Sequence, residues 1–204
     1  MNKKALQSQI ALLVGALLQV TEENENLRKK LTNTEILRKR LANAEKNART
    51  DNLTGIGNRL YAVEAVDRLK SLAGRKQLVS SLVCVAFIDM DNLKKINDTH
   101  GHATGSNALL ALVGALKKAT RTNDIIARIG GDEFIIVGLF KDRKEINVFK
   151  KRVEAALCDV SIEETAISTS IGYCYTRLDS KFNFEKILKI ADERMYKAKT
   201  QKKK

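Results

Sequence analysis

Arg128-Ile129-Gly130-Gly131-Asp132-Glu133-Phe134-Ile135-Ile136-Val137 leaves a chain few conformations to choose from. Ile125-Ile126-Ala127 precedes it, and the apolar run resumes directly after the two carboxylates. Apolar runs on either side of Gly-Gly predict two strands joined by a tight hairpin turn. Glycine there can take a positive φ and lets another molecule approach the backbone closely. Two carboxylates at such a tip repel each other, which is poor for stability. A divalent cation would relieve the repulsion and use it. Taken alone, the stretch also fits an exposed acidic hairpin tip.

The first quarter of the chain is of another kind. Residues 2 to 49 have no proline and one glycine, and are rich in Leu, Ala, Glu, Lys and Asn. Apolar residues recur at spacings of four and three: Leu6, Ile10, Leu13, Leu17, Val20, Leu27 and Leu31, with Asn24 on the same line. After a phase slip, Leu37, Leu41, Ala44 and Ala48 continue it. This is a coiled-coil seam, and a single buried Asn fixes register and strand number. The alternative is one amphipathic helix packed on the body. The apolar run Ile10 to Leu18 is too short to span a membrane, which takes ~20 residues. No small-residue cleavage site follows it, so a signal peptide is not indicated.

From Asp51 the pattern alternates. Helices are predicted over Asn58–Ala73 (closed by Gly74), Thr104–Thr120, Lys144–Leu157 and Asn183–Lys199. On the third-quarter helix, Leu109, Leu110, Leu112, Val113 and Leu116 mark the apolar side. Strands are predicted over Val79–Asp89, Asp124–Ile129, Glu133–Phe140 and Thr165–Thr176. The order α-β-α-β-β-α-β-α implies an α+β domain over 51–204, with helices on the covered face of its sheet, after a coiled-coil helix over 1–50.

Net charge is +13, which favours anionic partners. Part of it is Lys202-Lys203-Lys204, read as a solvated tail. Few aromatics and no basic stripe within the domain argue against nucleic acid or a membrane surface as the partner. Cys84, Cys158 and Cys174 are odd in number and widely spaced, which points to a reducing, cytoplasmic compartment. Cys84 sits in an apolar run and reads as a buried small hydrophobe. His100 and His102, without a cysteine partner, read as loop-packing residues rather than zinc ligands.

Asp89 closes the predicted central strand and Asp91 follows two residues on, so both project to one face. Pairing of this strand with the hairpin would bring Asp89 to Asp132 and Glu133. Such hard oxygen donors suit Mg²⁺ carrying nucleotide phosphates. Asp91 is read instead as the cap of a short helix that follows.

Four blocks in this order resemble the GGDEF family of diguanylate cyclases: Asp51-Asn52-Leu53-Thr54-Gly55-Ile56-Gly57-Asn58-Arg59, Phe87 to His102, the Gly-Gly-Asp-Glu-Phe hairpin, and Ala191 to Lys199. The resemblance covers roughly residues 50 to 203. It implies the palm-like sheet of nucleotide cyclases and nucleotidyl transfer from GTP with Mg²⁺ or Mn²⁺. Asp89, the Met90 carbonyl and Glu133 then look like the metal shell. Asp132 looks like the group beside the attacking 3′-hydroxyl, as second-metal ligand or general base. Backbone N–H groups around Asn92, Leu93 and Lys94 would cradle phosphates, as helix starts do. Leu93 stands where phenylalanine is usual. Lys94, Lys199 and Lys203 match phosphate-contacting positions, and the last is usually arginine, whose bidentate geometry lysine lacks.

Asn97 falls where the family reads the guanine edge. Its usual aspartate partner is replaced by serine in Gly105-Ser106. A neutral hydroxyl that can donate or accept should tolerate ATP beside GTP. Serine there resembles the hybrid subgroup that makes cyclic GMP-AMP; the alternative is a variant that leaves guanine choice intact. Arg121-Thr122-Asn123-Asp124 matches, in its spacing to Gly130, the family's R-x-x-D site at which cyclic dinucleotide product inhibits. The resemblance further implies a homodimer, held here by the coiled coil, in which two half-sites close one ring. The rival class is a catalytically inactive module that senses cyclic dinucleotide through Arg121 and Asp124. The intact Asp89, Asp132 and Glu133 argue against it.

Overall fold

The computed structural model describes residues 3–74, 81–162, 165–179 and 181–202. The elements are α1 (Lys3–Arg49), β1 (Gly57–Asn58), α2 (Arg59–Gly74), β2 (Leu82–Met90), α3 (Leu93–Ala119), β3 (Ile125–Arg128), β4 (Glu133–Phe140), α4 (Arg143–Cys158), β5 (Ser161–Ile162), β6 (Thr165–Ala166), β7 (Thr169–Arg177) and α5 (Phe184–Lys202). The chain divides into two compact units between Lys46 and Asn47.

Helix α1 runs unbroken for 47 residues, which a proline-free segment permits. Its apolar line is exposed in the single chain, with Leu13 at 70% and Leu17 at 65%. The Asn24 amide turns back onto its own helix, donating to the Val20 carbonyl at 3.0 Å. Among the described residues no helix is long and apolar enough to cross a membrane.

The second unit is α+β. Its sheet has the order β1-β3-β4-β2-β7, with β1 parallel to β3 and every other pair antiparallel. Strand β2 lies between β4 and β7 and is apolar at successive positions, as a strand covered on both faces must be. Cys84, Ala86, Ile88 and Met90 join Leu112 and Leu116 of α3 and Phe149 and Val153 of α4 in one core. Val83, Val85 and Phe87 join Ala62 and Val66 of α2 and Leu188, Ala191 and Met195 of α5 in another. Helices therefore cover both faces, not one. The continuous apolar run of β2 carries that information, because no polar residue alternates within it. Burial pushes the Cys84 thiol up to about 12, so it packs and does not react.

Local chemistry sets the element ends. Asn58 caps α2 by accepting from the Tyr61 N–H at 3.0 Å. Asp142 accepts from the Glu145 N–H, and Glu145 in turn accepts from the Lys141 N–H, a reciprocal cap that starts α4 at Arg143. The short helix expected after Asp91 and the helix expected from Thr104 form one element, α3, because Gly101 at φ 84° lets the first segment continue into the second through a kink. His100 and His102 accordingly lie in this helix and are exposed, not packed in a loop. Leu110 is also exposed, at 43%.

The strand expected over Thr165–Thr176 is divided. β6 pairs with β5 in a separate hairpin, and the chain turns at Ile167-Ser168 before β7. The Ile167 N–H donates to Val160 O and extends the β5–β6 pairing, while Ser168 O accepts from the Asp91 N–H and extends the β2–β7 register, so the chain changes partner between these two residues. Residues 79 and 80 of the expected central strand lie outside the described residues. Helix α5 rests directly on β7 at Gly172, where a Cβ would overlap the backbone of Ala191 and Met195. The Tyr173 and Thr169 carbonyls of this outermost strand accept from the side chains of Arg194 and Lys202.

Candidate active site

The hairpin and the end of β2 meet at one end of the sheet. Asp89 stands directly opposite Glu133 in the β2–β4 register, and the Met90 N–H donates to Asp132 O at 2.9 Å. Directly opposed residues on one face hold their Cβ atoms ~5 Å apart. The turn is closed by the Ile129 N–H donating to Glu133 O at 2.9 Å. Neither Gly130 nor Gly131 takes a positive φ, contrary to expectation. Gly130 leaves room for the Glu133 carboxylate: a Cβ there would overlap it, and the side chain would have to shift. Arg128 braces the turn from below. It donates to the Gly131 carbonyl through Nη2 at 2.6 Å and reaches Asp51 Oδ1 through Nη1 at 3.1 Å.

The electrostatics at this point are those of surplus negative charge. Burial pushes the Glu133 carboxyl above its usual range, and repulsion from Asp132, Asp192 and Asp89 adds to it. Burial also raises Asp89, with Asp132 and Asp91 adding, although Lys199 pulls the other way. Lys199 Nζ donates to Asp89 Oδ1 at 2.5 Å. Burial alone would lower the Lys199 ammonium, but its bond to Asp89 and the attraction of Asp132 and Asp91 outweigh that and raise it. One ammonium thus faces several carboxylates.

Asp91 does not cap α3. The capping position is Asn92, in left-handed backbone at φ 62°, with no side-chain cap. The Asp91 carboxylate accepts from Ser168 Oγ at 2.6 Å, Ser170 Oγ at 2.7 Å and Lys202 Nζ at 3.2 Å. Burial would raise it, but the two hydroxyls and the ammonium hold it below the usual carboxylate range. Lys202 is therefore a bonded residue of α5 rather than a solvated tail. Lys203 lies outside the described residues.

The remaining expected residues fall in two places. Asn97 and Ser106 are both half-buried, and Asn97 lies against Gly105, the residue before Ser106: a Cβ on Gly105 would overlap Asn97 Oδ1. Asn92 and Lys94 are exposed at the start of α3, and Leu93 packs its side chain on the core. Arg121 and Asp124 form a turn of their own, with the Arg121 N–H donating to Asp124 Oδ2 at 2.8 Å and the Asp124 N–H to Arg121 O at 3.0 Å. The Arg121 guanidinium lies 5.9 Å from the Phe140 ring centre. Phe140 ends β4, whereas Glu133 begins it, so this turn lies at the opposite end of the sheet from Asp89 and Glu133.

The donor set fits a hard divalent cation. Two carboxylates oppose each other across a strand pair, and their neighbours leave them short of positive charge. Among the described residues no three His, Cys, Asp or Glu side chains meet closely enough to hold a metal by themselves. Sequence reasoning passed over Asp192, Ser168, Ser170 and Lys202 here, and over the Asp51–Arg128 pair. Of these, Asp51, Arg128 and Asp192 stood inside the stretches that drew notice.

The family described as diguanylate cyclase, GGDEF domain, matches residues 48–204. Diguanylate cyclase DgcN of Escherichia coli is 32% identical over 200 residues, which cover 94% of this chain and 45% of that protein. The chain spans less than half the length of the curated relatives it matches. The coiled coil and GGDEF domain of DgcB from Caulobacter crescentus, solved with c-di-GMP, superposes with a TM-score of 0.76 at 22% identity, covering 87% of this chain and 94% of that one. A microbial GGDEF domain solved with cyclic di-GMP has a TM-score of 0.64 at 28% identity, covering 78% and 94%. With the match running from Ala48 to the last residue and the hairpin, β2 and α5 meeting as they do, the chain belongs to the GGDEF domain family of diguanylate cyclases.

Proposed function

We infer that the chain makes cyclic di-GMP from two GTP with release of two pyrophosphates. The observation that carries this is the meeting of Asp89, Asp132, Glu133 and Lys199 at the end of β2. The relatives' names support it, as does the binding of cyclic di-GMP by a GGDEF domain 28% identical to this chain.

Asp89, Glu133, the Met90 carbonyl and Asp132 would hold Mg²⁺ or Mn²⁺, which supplies charge neutralisation and a more acidic hydroxyl when bound. Phosphate oxygens and water would complete the shell, in keeping with a cation that arrives with its nucleotide. Lys199, with N–H donors to spare beyond Asp89, turns to the phosphates, and the N–H groups near Asn92, Leu93 and Lys94 take their share. Lys203 adds charge. The 3′-oxygen attacks the α-phosphorus, the bond to pyrophosphate breaks, and the hydroxyl proton leaves toward Asp132 or bulk water. Repetition in the opposite sense closes the ring. Each protomer presents one nucleotide, so two copies must face each other. The exposed apolar line of α1 is suited to hold them as a coiled coil.

Ser106 beside Asn97 favours a wider product range, with ATP accepted and cyclic GMP-AMP formed. A hydroxyl can rotate to re-pair with either base, where an aspartate would reject adenine. The test is to incubate the full chain with Mg²⁺ and GTP, ATP or both, and to identify products by mass. A GTP-only product, unchanged in Ser106→Asp, leaves plain diguanylate cyclase. No pyrophosphate from any mixture, with cyclic di-GMP still bound, would make the chain an inactive sensor. If ATP is accepted, Ser106→Asp is expected to shift the ratio toward guanine by roughly ten- to a hundredfold.

A further inference from the structure

Lys202 and Asp91 take no part in the chemistry just described, yet they form the most fully bonded polar group beside it. Lysine has three N–H donors. Lys202 Nζ meets three acceptors: Asp91 Oδ2 at 3.2 Å, Ser168 Oγ at 3.3 Å and the Thr169 carbonyl. It has none left for a phosphate. The Asp91 carboxylate is 91% buried and accepts three donors, and its own N–H donates to Ser168 O. The end of β2, the start of β7 and the last turn of α5 are thus tied at one carboxylate.

Lys199 stands three residues earlier on α5, a rise of ~4.5 Å, and Asp89 stands two residues earlier on β2, ~6.6 Å away. Asp89–Lys199 and Asp91–Lys202 are two neighbouring rungs between one strand and one helix. Only the outer rung is fully satisfied. The final turn of a helix frays unless something holds it. We propose that Asp91 and Lys202 are a positioning pair, which pins the last turn of α5 so that the Lys199 ammonium stays aimed at the phosphate end of the nucleotide.

This rests on the reading of Lys199 as a phosphate-binding residue. Two probes separate the roles: α,β-methylene GTP, whose scissile bond cannot break, and GMP, which lacks the outer phosphates. Binding of each to the full chain is measured by titration calorimetry with Mg²⁺ present, and folding by circular dichroism. Lys202→Met is expected to weaken the triphosphate analogue by about fivefold to tenfold and to leave GMP within about twofold. Lys202→Arg, which keeps charge and donors, recovers most of the loss. In Lys199→Met/Lys202→Met the loss should be no greater than in Lys199→Met alone, because the pin acts only through Lys199. Losses that multiply, equal losses for both probes, or no loss at all in Lys202→Met would overturn the positioning role. If Lys199→Met binds the analogue as the parent does, the phosphate role of Lys199 falls and the pair's function falls with it. Should Lys202→Met not fold, Ser168→Ala removes one of the pin's acceptors and carries the same comparison.

Discussion

Gly172→Ala tests how closely the fold and the site are joined. Gly172 lies opposite Phe87 in the β2–β7 register, with α5 directly upon it. An added Cβ would overlap the Ala191 carbonyl oxygen, the Met195 nitrogen and the Arg194 carbonyl carbon. All three are backbone atoms, so no rotamer change relieves the clash and the helix itself must move. Overpacking usually costs ~1–3 kcal/mol, and a helix–strand contact with nothing flexible in it belongs at ~3 kcal/mol. For a domain of this size that lowers Tm by ~6–12 °C. Gly114→Ala makes the opposite case with the same methyl group. Gly114 is exposed within α3 and a Cβ there meets nothing within 4 Å, so the substitution should stabilise by ~0.5–1 kcal/mol. Thermal melts followed by circular dichroism, with urea midpoints at unchanged slope, measure both. Because α5 carries Lys199, Gly172→Ala should also weaken triphosphate binding. A melt within ~2 °C of the parent would refute the close-contact reasoning.

Glu133→Gln should abolish turnover and leave the fold intact, with stability raised by ~0.5–2 kcal/mol as at other functional sites relieved of strain. The sign follows from the raised carboxyl: Glu133 favours the fold only below the usual glutamate range, and that benefit is lost as pH rises through its elevated value. At pH 7 the ionised group costs stability, so a Gln variant less stable than the parent at pH 7 but not at pH 4 would contradict this. Arg121→Ala should straighten product-inhibited progress curves without lowering the initial rate; equal inhibition of variant and parent by added cyclic di-GMP would place the inhibitory site elsewhere. Leu13→Lys/Leu17→Lys should shift the full chain from dimer to monomer in sedimentation and lower turnover together, and a variant that remains dimeric would remove the seam from the assembly.

What sequence could show depended on how far apart the partners lie. The hairpin, β2 and α5 were legible because each is one contiguous pattern, and the blocks fall in a fixed order. Asp91 was misread because its cap-like position next to a helix is local, whereas Ser168 and Ser170, which bind it, are 77 and 79 residues away. Lys202 was missed for the same reason: in a run of three lysines nothing local distinguishes the one that finds three acceptors. Asp51 and Arg128 are likewise 77 residues apart. Gly130 was rightly singled out, but for conformational freedom rather than for the Glu133 carboxylate pressed against it. The short helix expected after Asp91 and the helix expected from Thr104 proved to be one element, joined through the kink at Gly101, a continuity that no local pattern shows.

The outermost strand carries one more consequence. A nine-residue strand with open carbonyls invites another chain to lengthen the sheet. On β7 two of those carbonyls are already occupied, by Arg194 at Tyr173 and by Lys202 at Thr169. Both cations come from α5, so the helix that brings Lys199 to the carboxylates also guards the sheet's long margin against a second molecule. Growth by strand addition is discouraged where this chain would be most prone to it.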